Sequence, residues 1–335
     1  MSTTVQPTGL HHVTAIASDP QRNLDFWYRV LGQRLVKQTV NFDAPDVYHL
    51  YYANEAGDPG TVMTFFPFPG AAKGHVGAGQ ATVTSYSIPE GSAGWWQAHL
   101  ARHDVEVESL TTRFDEDALR FRDPDGLIIE LIAHEGGVGA PWDGGPIPVE
   151  HATRGFHSVT LTESSLDGTS DTFLDTMNFR SAHEQDGRYR FEVGDGGLGR
   201  SVDVVVDPSA PRGRTAAGTV HHIAWRVEDE ATQVGWRRQI AEQGHQVTDI
   251  LDRQYFRSIY FREPGGVLLE IATDPPGFTA DEPLLELGRA LKLPPWLEPS
   301  REQIAANLPT LALPDEAVPD GAAEHGEGIV RPGGA

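Results

Sequence analysis

GLHHVTAIA, residues 9–17, returns 210 positions later as TVHHIAWRV, residues 219–227, and the second copy is followed by YFREPGGVLLEIAT, residues 260–273, which contains Glu270. Both His-His pairs and the glutamate lie in stretches with the alternating or continuous apolar pattern of strands. Two histidines and one carboxylate carried on strands are the donor types of a metal site that keeps positions open. The stretch points to a metal-dependent enzyme acting on a small molecule, and to a fold built from repeats.

The repeats extend outward from these pairs. The shift of 210 also lays Asp19 and Phe26 over Asp229 and Trp236, and a shift of 140 lays FRDPDGLIIE, ending at Glu130, over FREPGGVLLE, ending at Glu270, and Trp96 over Trp236. Another copy opens at RGFHSVTLT, with His157, and ends near VDVVVDP. The chain thus reads as four units of about 60 to 70 residues, over 8–68, 80–135, 154–207 and 218–275, each a strand, a helix and further strands. That is an α+β fold. NLDFWYRVLG after Asp19 and GWRRQIAEQG around Trp236 have helical spacing, and DPDG and EPGG mark turns between strands. The Gly- and Pro-rich stretch 141–153 reads as a linker dividing residues 1–140 from 154–280. Residues 281–312 form an extension with a short helix, for which Ser300 and Gln303 offer a capping box. From 313 to 335 the chain is small and acidic, and a disordered tail is expected.

Composition excludes several classes of function. With 335 residues the chain exceeds the size at which one core usually keeps growing, so two domains are expected. A net charge of -22 without a basic patch disfavours nucleic acid and anionic membrane. No apolar run approaches the length of a membrane span, and MSTTVQPTGL lacks the pattern of a secretion signal, so a cytoplasmic location is expected. There is no cysteine, which leaves His, Asp and Glu as candidate ligands. Nothing in the composition opposes a homo-oligomer.

Four units with HHVT and HHIA opening strands and an EPGGVLLE ending resemble the vicinal oxygen chelate superfamily. GLHHVTAIA, YHLYYANEAGDPGTVMTFFPF, RGFHSVT and YFREPGGVLLEIAT, in this order, make the chain similar to its hydroquinone-type ring-cleaving dioxygenases over about residues 8–295. The resemblance implies βαβββ modules paired into two domains, with curved, barrel-like mixed sheets around a metal, Fe(II) or alternatively Mn(II). It implies an extradiol-type dioxygenase that inserts both atoms of O2 into a small aromatic diol. Catechol cleavage is the alternative within the superfamily, a glyoxalase-type isomerase or lyase lies beyond it, and a small-molecule binding protein is third.

In a regular strand His12, Thr14 and Ile16 share one face and His11, Val13 and Ala15 the other, so one member of each pair can face a metal directly. The aligned frame makes His12 and His222 equivalent, and the family's motif selects these two with Glu270 as ligands. His11 and His221 would then support neighbouring structure or line the pocket edge. A lone Glu270 in an apolar strand would cost several kcal/mol, which a cation removes. Glu130 is its counterpart without a metal role, because Thr82 stands in the frame at His222, and Phe65 stands near the slot aligned with Glu270. His157 competes with His12, because pairing of the third and fourth units, as in the catechol branch, would bring it to His222; the HHVT match favours His12. Antiparallel strands joined at EPGG would put Tyr260 or Ile259 across from Glu270, depending on loop length. The family motif selects Tyr260 as a hydrogen-bond donor to substrate or oxygen and Arg253 as a holder of anionic charge, and Thr14 is placed to touch substrate.

Overall fold

The computed structural model describes residues 6–314. The acidic tail from 315 onward lies outside the described residues. Within them, each of the four units is a strand, a helix and three strands. The first holds β1 (Leu10–Ala17), α1 (Pro20–Asp25), β2 (Arg34–Asn41), β3 (Ala44–Ala53) and β4 (Val62–Pro67). The second holds β5 (Gln80–Ile88), α2 (Ala93–Arg102), β6 (Ser109–Arg113), β7 (Glu116–Arg122) and β8 (Ile128–Ala133). The third holds β9 (Phe156–Glu163), α3 (Asp167–Asp171), β10 (Arg180–Gln185), β11 (Arg188–Glu192) and β12 (Ser201–Val206). The fourth holds β13 (Thr219–Val227), α4 (Glu230–Glu242), β14 (Leu251–Asp252), β15 (Arg257–Arg262) and β16 (Leu268–Thr273).

Local chemistry sets the helix starts. Asp19 and Asp229 are extended and accept from the backbone N–H of Arg22 (2.7 Å) and Thr232 (2.8 Å), and Pro20 supplies a preset φ at the first helical position. After α1 the helix widens, with the Leu31 N–H reaching the Phe26 carbonyl five residues back, and Gly32 ends it at φ +64°. Trp27 and Trp236 are fully buried between helix and sheet. The capping box at the C-terminal helix α5 (Arg301–Asn307) is not formed: Ser300 belongs to a preceding helical turn rather than to extended backbone, and its hydroxyl caps nothing.

In each unit the first strand pairs in parallel with the last, while the other strands run antiparallel. The units combine into two eight-stranded sheets, β14-β15-β16-β13-β1-β4-β3-β2 and β10-β11-β12-β9-β5-β8-β7-β6. The division into 1–140 and 154–280 therefore does not describe the sheets. Units one and four share one sheet through β1 and β13, and units two and three share the other through β5 and β9. Residues 141–153 join two units of the same sheet, and Trp142 and Ile147 pack on the first unit at Tyr28 and Gly32. Short bridges between Lys73 and Ala217, His75 and Arg214, and Ala78 and Arg212 lie where the chain leaves the first sheet and returns to it. Among the described residues no helix is long and apolar enough to cross a membrane.

Candidate metal centre

The β1–β13 seam carries both histidine pairs, and each pair sits at a β-bulge. Leu10 faces Trp225 and His12 faces Ala224, so His11 is an extra residue; Thr14 faces His222 and Ala15 faces Val220, so His221 is another. A bulge breaks strict alternation and re-aims side chains. The two rings of each pair consequently meet instead of lying on opposite faces: His11 Nδ1 is 2.9 Å from His12 Nδ1, and His221 Nδ1 is 2.7 Å from His222 Nδ1.

The Nε2 atoms of His12 and His222 converge at 3.2 Å, and both approach Glu270 Oε2, at 3.3 and 3.0 Å. Metal–ligand bonds of about 2.1 Å place donors about 3.0 Å apart on an octahedral face and about 3.4 Å apart on a tetrahedron. The three separations fall in that interval. Protonation suits a cation as well. Burial would raise the Glu270 carboxyl, but the adjacent imidazoles of His12 and His222 outweigh it and hold the group well below the usual carboxylate range. Burial lowers His222 against the pull of Glu270, and lowers His11 and His221, the last to about 3. An ionised carboxylate beside a His222 ring whose charging burial disfavours suits the deprotonated donors a divalent ion requires. With Nε2 turned to an ion, the Nδ1–H of His12 donates to His11 and that of His222 to His221, which fixes ligand tautomer and ring orientation.

The register of β15 on β16 puts Tyr260 across from Glu270, because the loop of residues 263–267 joins Arg262 to its partner Leu268. Tyr260 lies edge-on to the His222 ring at 5.6 Å, and burial and Glu270 raise its hydroxyl, which stays protonated. Arg253 lies over the Tyr260 ring at 5.5 Å and pairs with Asp43 of the β2–β3 turn at 3.2 Å. These groups, with His12, His222, Phe66 and Phe256, line a cavity of about 530 Å³ whose walls are mainly apolar. Thr14 is fully buried with its hydroxyl on Thr64 at 2.8 Å, behind the cavity wall rather than on it.

Sequence reading missed Ser258, whose Oγ donates to Glu270 Oε1, and the pair His49 and Tyr51 in the cavity wall. Tyr51 faces Thr64 on β4 as Tyr260 faces Glu270 on β16. The slot aligned with Glu270 is therefore Thr64, one residue before Phe65. The signal was present: His49 and Tyr51 precede Ser258 and Tyr260 by 209, one less than the frame set by the histidines.

The second sheet repeats the bulges, with Thr82 and His157 as the extra residues. Thr82 thus matches His221, and Val83 is the true counterpart of His222. His157 matches His11; it bonds Ser158 and Glu116 in that sheet and does not reach His222. The positions of His222 and His12 are taken by Val83 and Ser158, while Glu130 and Asp203 occupy the slots of Glu270 and Thr64. Arg113 and Arg120 clasp Glu130, and Arg188 and Arg190 clasp Asp203. The arginines hold Glu130 low despite its burial.

The comparisons with known proteins agree with this architecture. The family model of the Glyoxalase/Bleomycin resistance protein/Dioxygenase superfamily matches residues 9–131 and 155–271. The "Putative ring-cleaving dioxygenase MhqO" of Bacillus subtilis (strain 168) is 45% identical over 300 residues, 90% of this chain and 95% of that protein. The chlorohydroquinone/hydroquinone 1,2-dioxygenase of Sphingobium indicum is 40% identical over 310 residues, 90% and 95% respectively. A crystal structure of a putative dioxygenase from Bacillus subtilis subsp. subtilis str. 168 superposes with a TM-score of 0.89 at 43% identity, over 92% of this chain and 99% of that one. Glyoxalase I from Zea mays shares the fold at 11% identity, with a TM-score of 0.58 over 79% of this chain and 92% of that one. The chain belongs to the Glyoxalase/Bleomycin resistance protein/Dioxygenase superfamily.

Proposed function

We propose that this protein is an Fe(II)-dependent dioxygenase that opens the ring of a hydroquinone-type diol and inserts both atoms of O2, the cleaved bond lying beside one hydroxylated carbon as a para diol requires. The observation that carries the reading is the convergence of His12 Nε2, His222 Nε2 and Glu270 Oε2 beneath a mainly apolar cavity with room for an aromatic ring. Its kinship with the Sphingobium enzyme supports the substrate class.

His12, His222 and Glu270 would hold the ion. Iron(II) bound there supplies Lewis acidity toward a phenol oxygen and one-electron exchange with dioxygen. The protein's own part is positioning and charge. Phe66, Phe256 and Leu268 exclude water from the ring. Tyr260 keeps its proton and can donate to an oxygen on the substrate or one derived from O2. Arg253, charged and over Tyr260, can hold the negative charge that develops as the ring is attacked. Thr64, rather than a carboxylate, stands in the slot opposite Glu270, which disfavours a four-protein-ligand isomerase site.

The test is oxygen uptake by protein reconstituted anaerobically with Fe(II), then mixed with methylhydroquinone, catechol, or methylglyoxal with glutathione. Uptake with methylhydroquinone alone is expected. Uptake only with catechol would move the substrate class, and turnover of the glutathione adduct without uptake would refute the dioxygenase.

A further inference from the structure

The first sheet has an approximate twofold that exchanges β1 with β13, and it leaves one cluster unexplained by the reading above. Thr14 faces Thr64 as Ala224 faces Glu270, Tyr51 stands where Tyr260 does, and His49 stands where Ser258 does. In place of a serine on a glutamate, this half carries a chain of four polar groups. Tyr51 OH is 2.8 Å from His49 Nδ1, His49 Nε2 is 2.8 Å from Thr64 Oγ1, and Thr64 Oγ1 is 2.8 Å from Thr14 Oγ1.

Counting hydrogens gives the chain a direction. Burial keeps His49 neutral, so the imidazole contributes one N–H and the three hydroxyls one hydrogen each, four in all for three links. One hydrogen is left over. On Thr14 or Thr64, both fully buried, it would be a donor without an acceptor and would carry a desolvation cost. Tyr51 is itself 1% exposed, but it and His49 both line the cavity, so at this end what fills the cavity can supply the acceptor. The favoured arrangement is Thr14 donating to Thr64, Thr64 to His49 Nε2, and His49 Nδ1–H to the Tyr51 oxygen, with the Tyr51 O–H turned to whatever fills the cavity.

We propose that Tyr51, oriented by His49, donates a hydrogen bond to an oxygen of the aromatic diol, as the counterpart of Tyr260 from the other half of the sheet. This rests on the diol reading above. Tyr51 is thus a substrate-binding residue and His49 a positioning residue that acts through it.

The experiment is anaerobic calorimetric titration of Fe(II)-loaded protein with hydroquinone. Tyr51→Phe should weaken binding about five- to tenfold, the effect of one hydrogen bond, with iron content unchanged. His49→Phe should weaken it comparably, and the double variant no further, because the two residues are one unit. His49→Gln, which can still accept from Thr64 and donate to Tyr51, should restore binding and guards against misfolding of the other variants. Binding by Tyr51→Phe within twofold of wild type, or additive losses in the double variant, would overturn the inference while leaving oxygen uptake intact. Wild-type binding without oxygen uptake would instead refute the dioxygenase and leave the Tyr51 effect measurable. No binding of hydroquinone by the wild type would overturn both.

Discussion

Ser258→Ala is the sharpest probe of the centre, because it alters neither a ligand nor a cavity wall. Ser258 is fully buried and its hydroxyl donates to Glu270 Oε1, while Oε2 faces the two imidazoles. Removing the donor leaves a buried anionic oxygen without that partner, and a hydrogen bond to a charged group contributes about 1.5–3 kcal/mol. The same interaction orients a carboxylate toward the ion, and loss of such an outer partner weakens metal affinity by about 10- to 100-fold, or about 1.4–2.7 kcal/mol. The two estimates agree, so iron affinity measured against a competing chromophoric chelator should fall by one to two orders of magnitude. The metal-free protein should also melt a few degrees lower. Iron affinity within threefold of wild type would refute the assignment of Glu270 as an oriented ligand.

Glu270→Gln should abolish both stoichiometric iron, read by elemental analysis, and oxygen uptake, since a neutral amide replaces the one anionic donor. The metal-free protein should lose stability as pH falls. His11, His49, His221 and His222 are held below the ordinary imidazole value by burial. Their contribution is complete above about pH 6.5 and declines as pH drops toward the folded values, by up to about 1.4 kcal/mol per unit for each group; urea midpoints between pH 7 and 5 measure it, and a flat profile would count against neutral burial. Lys37→Met should cost about 3–5 kcal/mol in urea unfolding, because Lys37 is fully buried on β2 and its Nζ bonds Asp281, Glu282 and the Phe278 carbonyl, so truncation strands the buried Glu282 carboxylate of the C-terminal extension.

The repeat was legible because helix-capping aspartates, buried tryptophans and turn glycines recur at fixed offsets, and His12, His222 and Glu270 stood out as polar residues in apolar strands. What a linear frame could not carry was the pairing of units. Sequence neighbours usually share a sheet, yet here β1 finds β13 across two intervening units. The bulges were equally hidden. The spans between first and last strands also differ by a residue, Ser85 to Glu130 against Ala224 to Glu270, so an offset counted from Glu130 to Glu270 named Thr82 where Val83 belongs. His49, Tyr51 and Ser258 escaped because their significance lies in partners on adjacent strands, and histidine, tyrosine and serine are unremarked in isolation.

The joining of first and last units has a consequence for the growing polypeptide. His12 emerges early from the ribosome, and Glu270, its neighbour in the proposed centre, emerges 258 residues later, which at about 5–20 residues per second is roughly 13 to 50 s. Units two and three are contiguous in the chain and can close their own sheet during that interval, on a core whose charges are already matched among arginine, glutamate and aspartate. A metal ion at the proposed centre would thus have no complete seat on the nascent chain until Glu270 has been made.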